Sequence, residues 1–172
     1  MPTFLVVCKG RSGSKWLARE LNRSPSWRVK HEGDGQFKHR HRYGEVNGYL
    51  RYVAKKVPVD RLGVIVRDPL KIARSAFYRT PHFWNRFIHI LKPDLVILDE
   101  LLEMPSTVMI KFSHMVTNPV YLTRVAAKLG IDDLFEDAVD RSRCNSSPAG
   151  ELTKNQVLQV QRHSQWFIDK WL

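Results

Sequence analysis

Residues 3–21, TFLVVCKGRSGSKWLAREL, constrain the fold of this chain more than any other stretch. They run from an apolar segment through a basic turn bearing Gly10 and Gly13 into a helical pattern. A short apolar run rich in branched residues reads as a buried strand, and the glycines break it. The geometry that follows is a strand, a tight turn and a helix start, where backbone amides converge on an anion. Arg11, Ser14 and Lys15 add side-chain donors at that point. The expected ligand is a nucleotide phosphate. The phosphate loop of nucleoside triphosphatases ends in a lysine followed by a hydroxyl that holds magnesium. Here Trp16 follows Lys15, so that hydroxyl is missing.

A second junction of the same kind lies at residues 61–79, RLGVIVRDPLKIARSAFYR. Leu62 to Val66 is a continuous apolar run, as expected of a parallel strand covered on both faces. Arg67 stands at its carboxyl end. Pro69 suits a first helical position, where its absent N–H costs nothing. Leu70, Ala73 and Phe77 then predict an inward stripe at i, i+3 and i+7, with Ser75 off it.

Together the strings GRSGSKW and RDP…SAFYR resemble the donor site of sulfotransferases that use 3′-phosphoadenylyl sulfate (PAPS). The resemblance extends over most of the chain, and its specificity is concentrated in residues 9–16 and 67–79. It implies a single domain over residues 1–172 with a three-layer α/β sandwich, a central parallel sheet and the P-loop-containing fold of the sulfotransferase type. It also implies that Arg11, Ser12, Gly13, Ser14 and Lys15 hold the 5′-phosphosulfate. Trp16 would lie near the adenine, although it equally suits the first apolar position of the helix. Arg67 and Ser75, eight residues apart, would take the 3′-phosphate.

The chemistry is expected between the two junctions, in SWRVKHEGDG. Trp27, Val29 and His31 alternate with polar residues like a short strand, and Gly33 and Gly35 end it. His31 and Glu32 thus fall where an open parallel sheet presents residues to ligands. Carbohydrate and tyrosine-protein sulfotransferases, which this arrangement resembles more than it does the small-molecule cytosolic type, place a glutamate base after the second strand. That resemblance makes Glu32 the expected general base, with His31 the alternative. Arg11, helped by Lys15 and the loop amides, would neutralise charge on the departing phosphate. The reaction needs no metal.

The remaining chain supplies supports. Thr107 to Phe112 alternates like a strand, and Thr117, Asn118 and Pro119 announce a helix whose Leu122, Val125, Ala126 and Leu129 share a face before Gly130 stops it. Relatives often end this strand with an acidic pair, whereas Ser113 and His114 stand here. After the acidic patch at 132–140, the polar segment RSRCNSSPAGELT resembles the loop that closes over the 3′-phosphate, so Arg141, Arg143, Asn145 and Ser146 are implied contacts. Thr153 and Gln156 form a capping box for a last helix with Val157, Val160, Phe167 and Trp171 on one stripe. The segment from Thr80 to Glu103 is expected to contain helix and to border the acceptor pocket.

The net charge of +11 demands an anionic partner or tolerates one. A PAPS donor, giving adenosine 3′,5′-bisphosphate as product, accounts for part of this. An acidic acceptor such as a glycan, favoured over other hydroxyls and amines, would use more. The run Lys38, His39, Arg40, His41, Arg42 reads as a solvated loop near the site mouth. Nucleic acid is the rival anion, but the chain has no zinc-finger spacing, RNA-recognition aromatics or basic helix leading into heptads. A P-loop nucleotide kinase or phosphotransferase and a sulfotransferase-like fold without activity are further rivals. Two cysteines, Cys8 and Cys144, make no disulfide framework, which favours a reducing, cytoplasmic setting. No apolar stretch approaches the ~20 residues of a membrane span, and no cleavable signal is expected at the start of the sequence.

Overall fold

A computed structural model describes residues 3–33, 42–50, 59–134 and 149–172. Its centre is a five-stranded parallel sheet made of β1 (Thr3–Cys8), β2 (Arg28–His31), β3 (Tyr43–Asn47), β4 (Arg61–Val66) and β5 (Val108–Lys111), in the order β2-β3-β1-β4-β5. β1 pairs with β3 from Thr3 opposite Tyr43 to Val7 opposite Asn47, and with β4 from Phe4 opposite Arg61 to Cys8 opposite Ile65. The expected three-layer α/β architecture with a central parallel sheet is the one observed.

Strand periodicity divides the core. Phe4, Val6 and Cys8 point to one face, where they meet Trp16, Leu17 and Leu21 of α1 (Ser14–Leu21). Leu5 and Val7 point to the other face. There they meet Ala73 of α2 (Pro69–Arg79), Leu91, Leu95 and Leu98 of α3 (Trp84–Leu102), and further along the chain Val160 and Phe167 of the closing helix. A short 3₁₀ turn, Pro81–Phe83, joins α2 to α3. Gly44 allows the sheet to close around Phe4, because a Cβ there would stand 2.0 Å from the Phe4 ring.

Beyond β5 come α4 (Phe112–Thr117), α5 (Pro119–Lys128) and, after the residues left undescribed, α6 (Lys154–Trp171). The α5 stripe is the expected one, with Leu122, Val125, Ala126 and Leu129 all buried and Asn118 capping the start by accepting from the Tyr121 amide. The capping box of α6 also forms, with Gln156 N–H donating to Thr153 Oγ1 at 3.3 Å and Thr153 N–H to Gln156 Oε1 at 2.9 Å. α6 is tied to α3 by Trp84 Nε1 donating to Gln159 and Trp171 Nε1 donating to Asp99.

Two boundaries differ from the sequence pattern. The strand expected over 107–112 is four residues long, because Phe112 already opens α4 and turns its ring toward Gly13 and Arg67. In α2 the buried set is Pro69, Ile72, Ala73 and Ser75, while Leu70 and Phe77 are half-buried. Burial there follows the side of the helix that meets the β1–α1 turn as well as its greasy side, which an apolar stripe alone does not register. The basic run from Lys38 to His41 and the loop residues Arg141, Arg143, Cys144, Asn145 and Ser146 lie outside the described residues.

Candidate active site

All five strands are parallel, so the loops that follow them share one edge of the sheet. β1 continues through α1, on the face of Phe4 and Val6, toward β2, whereas Leu50 just after β3 and Val59 just before β4 pack in the core layer of the opposite face. The carboxyl ends of β1 and β3 therefore flank a topological switch point, the crevice where α/β sheets receive ligands. Residues 9–13, 32–33, 48–49 and 67–68 gather there.

The turn after β1 is built for close approach. Gly13 has φ of 84°, and a Cβ on it would stand 2.5 Å from the Phe112 ring. Arg11 also takes a left-handed conformation, with φ of 75°. Such a conformation is costly for a side-chain-bearing residue and is typical of functional turns. Gly13 caps α1, whose first-turn amides lack intrahelical acceptors by construction. Ser12 is fully buried, and its Oγ and the Nε of Arg11 have no hydrogen-bond partner among the described residues. Buried donors left without a partner are uncommon and expensive. An oxyanion seated on the α1 amides would satisfy them.

The second junction is joined directly to the first. Arg67 Nη1 donates to the carbonyl of Arg11 at 2.5 Å, and Arg11 Nη2 donates to Ser75 Oγ at 3.4 Å. The Arg67 guanidinium lies 4.1 Å from the centre of the Phe112 ring. Asp68 caps α2 by accepting from the Leu70 amide, so it is occupied locally instead of with Arg67. Burial, and then the like charge of Arg79, lower the pKa of Arg11, although an arginine stays protonated at any physiological pH. The result is a concentration of positive charge at this turn.

His31 and Glu32 stand beside this turn at the end of β2. Ser14 Oγ and His31 Nε2 are 3.0 Å apart, and His31 Nε2 lies 3.5 Å from Glu32 Oε1. Burial lowers the pKa of His31, Glu32 opposes that shift and Lys15 reinforces it, so the imidazole is neutral at pH 7. Glu32 has φ of 51°, and its Oε1 lies 3.2 Å from where a Cβ on Gly48 would stand. Cys8, under the same turn, is fully buried and its thiol is pushed up to about 12 by burial. It is the small core residue expected from the sequence, not a nucleophile.

Of the expected site residues, Arg11, Ser12, Gly13, Ser14, His31, Glu32, Arg67 and Ser75 thus converge. Lys15 is exposed at the helix start. Trp16 is only 8% exposed and packs with Leu17 and Leu21 in the core, as the first apolar residue of its helix.

Sequence reasoning missed Lys9 and Asp94. Lys9 follows β1 and is buried, and its Nζ lies 2.5 Å from Oδ2 of the buried Asp94 on α3. Asp94 occupies the same helical face as Leu91, Leu95 and Leu98, and an acidic residue on an apolar stripe is the signal that marks it. The pair borders a cavity of about 730 Å³ that also touches Gly10, Gly48, Phe77 and Trp84. The segment expected to border an acceptor pocket, residues 80–103, supplies much of its wall.

The architecture has counterparts among solved structures. A sulfotransferase from Alicyclobacillus acidocaldarius superposes with a TM-score of 0.65 at 15% identity, covering 99% of this chain and 98% of that one. Mouse sulfotransferase SULT7A1, solved in complex with PAP, superposes with a TM-score of 0.54 at 17% identity, covering 98% of this chain and 65% of that one. This is the sulfotransferase fold. No protein-family model matches the sequence, and no curated protein matches it. Among the described residues no helix is long and apolar enough to cross a membrane, and no group of three or more His, Cys, Asp or Glu is gathered that could hold a metal ion.

Proposed function

We propose that this chain is a sulfotransferase that moves a sulfuryl group from PAPS to a hydroxyl or amine of an acceptor. The observation that carries the reading is the direct stitching of the two phosphate-binding junctions, Arg67 to the Arg11 carbonyl and Arg11 to Ser75, around the buried and unsatisfied Ser12 Oγ and Arg11 Nε. The similar fold of two sulfotransferases, one of them solved with PAP, supports it.

In this reading Ser12, Ser14 and the amides at the start of α1 hold the 5′ end of the donor, while Arg67 and Ser75 take its 3′-phosphate. The donor supplies an activated sulfuryl group. The acceptor oxygen or nitrogen forms a bond to sulfur as the bond from sulfur to the phosphate oxygen breaks, releasing adenosine 3′,5′-bisphosphate. The acceptor proton passes to Glu32, which faces the crevice across Gly48. Nε2 of the neutral His31 ring lies between Ser14 Oγ and Glu32 Oε1, beside both groups. The Arg11 guanidinium offsets the negative charge that grows on the departing phosphate. A loop that uses protein cations in this way does not need the magnesium of phosphoryl transfer.

A thermal-shift comparison of adenosine 3′,5′-bisphosphate, ATP with magnesium, and duplex DNA tests the reading. Selective stabilisation by the bisphosphate is expected, and Arg67→Ala should weaken its binding by at least about tenfold, the scale of one charge-assisted hydrogen bond. A response to ATP with magnesium alone would point to a phosphotransferase, and one to DNA alone to a nucleic-acid module. Glu32→Gln should keep bisphosphate binding and lose PAPS-dependent transfer.

A further inference from the structure

Three successive residues of β3 bracket the segment that carries Glu32. The Glu32 N–H donates to the Val46 carbonyl at 3.0 Å. On either side of Val46, Glu45 and Asn47 point into the core layer of Leu5 and Val7, their opposite numbers on β1. Both are buried, with 0% and 2% of their surface exposed. Polar groups are held in an apolar layer only where their hydrogen bonds are made, since burial without partners is costly.

Asn47 serves two neighbours at once. Its Oδ1 accepts from the Tyr49 N–H at 2.7 Å, and its Nδ2 donates to Glu45 Oε1 at 2.7 Å. That orientation is dictated by the partners, because a flipped amide would set donor against donor and oxygen against carboxylate. The bond to Tyr49 closes a turn around Gly48. A Cβ on Gly48 would stand 3.2 Å from Glu32 Oε1 and 3.6 Å from Gly10 Cα, so this backbone is a wall between the carboxylate and the β1–α1 turn. Glu45 Oε2 lies under Gly33, 2.6 Å from where a Cβ there would stand. Asn47 is thereby joined to both glycines that flank Glu32, the one that follows it in the chain and the one that faces it.

We propose that Asn47, together with Glu45, is a positioning residue for Glu32, fixing the Gly48 and Gly33 backbones between which the Glu32 carboxylate is held. The placement of the carboxylate concerns this chain alone. Its description as the placement of a general base rests on the sulfotransferase reading.

The titration of the His31 ring, followed by nuclear magnetic resonance in the ligand-free protein, reports where the Glu32 carboxylate lies. The His31 signal is identified by its loss in His31→Asn. Burial and Lys15 lower the pKa of this ring and Glu32 raises it, so a carboxylate that moves away leaves a lower midpoint. Glu32→Gln gives the midpoint with that carboxylate removed. Asn47→Ala should shift the midpoint in the same direction, and adding it to Glu32→Gln should shift it no further. Asn47→Ser keeps a hydroxyl that can accept from the Tyr49 N–H, and should recover part of the shift. In turnover, Asn47→Ala should lower kcat about a hundredfold, the scale of a reacting group misplaced by about 1 Å, with the affinity for adenosine 3′,5′-bisphosphate unchanged.

An unchanged His31 midpoint in a folded Asn47→Ala protein would overturn the proposal, as would an equal shift with and without Glu32. The wild-type protein supplies a check that needs no variant. The Tyr49 amide should exchange with solvent as slowly as the amides of β3, although Tyr49 itself is 65% exposed, and fast exchange would overturn the proposal too. Expected titrations together with full PAPS-dependent transfer by Glu32→Gln would sink the general-base reading and leave the positioning role standing. Loss of transfer in Glu32→Gln with an unmoved midpoint in Asn47→Ala would do the reverse.

Discussion

At the scale of single residues, the site depends on backbone conformations that few side chains tolerate. Gly13 combines φ of 84° with a Phe112 ring 2.5 Å from any added Cβ, whereas Gly10 has its nearest such contact at 3.8 Å and no positive φ. Gly13→Ala should therefore destabilise the protein by about 1–3 kcal/mol or more, the cost of a left-handed side-chain-bearing residue plus a displaced ring. Gly10→Ala should stay within about 0.5 kcal/mol of wild type. Thermal unfolding of the two variants side by side is the check, and equal losses would refute the role given to Gly13.

His31 gives a second residue-scale expectation. Burial lowers its folded pKa below the ordinary 6.5, so the folded state resists a proton that the unfolded chain accepts. Its contribution to stability is present above about pH 6.5 and is lost as pH falls through that value. Asp60, Asp99 and Asp133 also have lowered pKa values, but their contribution persists down to the carboxylate range and is lost only there. Melting temperature followed from pH 7.5 to 5 should fall, and His31→Asn should flatten that fall. A parallel slope in the variant would assign the effect elsewhere.

At the scale of elements, caps decide where helices begin, and they are the most legible parts of the chain. The capping box of α6 is readable because Thr153 and Gln156 stand three residues apart just before an apolar stripe. Thr153→Ala should cost about 1 kcal/mol, measurable as a shift in the urea midpoint with an unchanged slope; no shift would mean that packing through Val160 and Phe167 alone fixes the helix start. The two strand-turn-helix junctions are legible for the same local reason, an apolar run cut by glycine or closed by Asp68 and Pro69. The direction in which α2 faces is less so. Its burial is shared between the sheet and the β1–α1 turn, so Ser75 goes inward and Phe77 turns to the cavity. Asp94 is marked in the sequence by its place on the apolar stripe of α3, but Lys9 is not marked as its partner, because only the packing of α3 against the end of β1 brings the two together.

At the scale of the whole molecule, parallel strands with both faces covered can be foreseen from Leu62 to Val66, but the order β2-β3-β1-β4-β5 cannot. Strand order is fixed by which crossover helix packs on which face, and that information is spread over residues far apart in sequence. Trp16 shows the consequence. The turn before it reads as a ligand site, yet Trp16 itself is claimed by the core, where it packs on the same side as Phe4 and Phe112. Both core clusters share β1 and β4, with Phe4, Val6 and Ile65 in one and Leu5, Val7 and Val64 in the other. Loss of either layer exposes the opposite side of the same strands, so the layers should not unfold separately. Urea unfolding followed by tryptophan fluorescence and by far-ultraviolet circular dichroism should give coincident single transitions. Adenosine 3′,5′-bisphosphate at a hundred times its Kd should raise both by the same ~2.7 kcal/mol. Separated transitions would divide the chain into more than one folding unit. A ligand shift seen by one probe only would place the binding site outside the structure that β1 holds together.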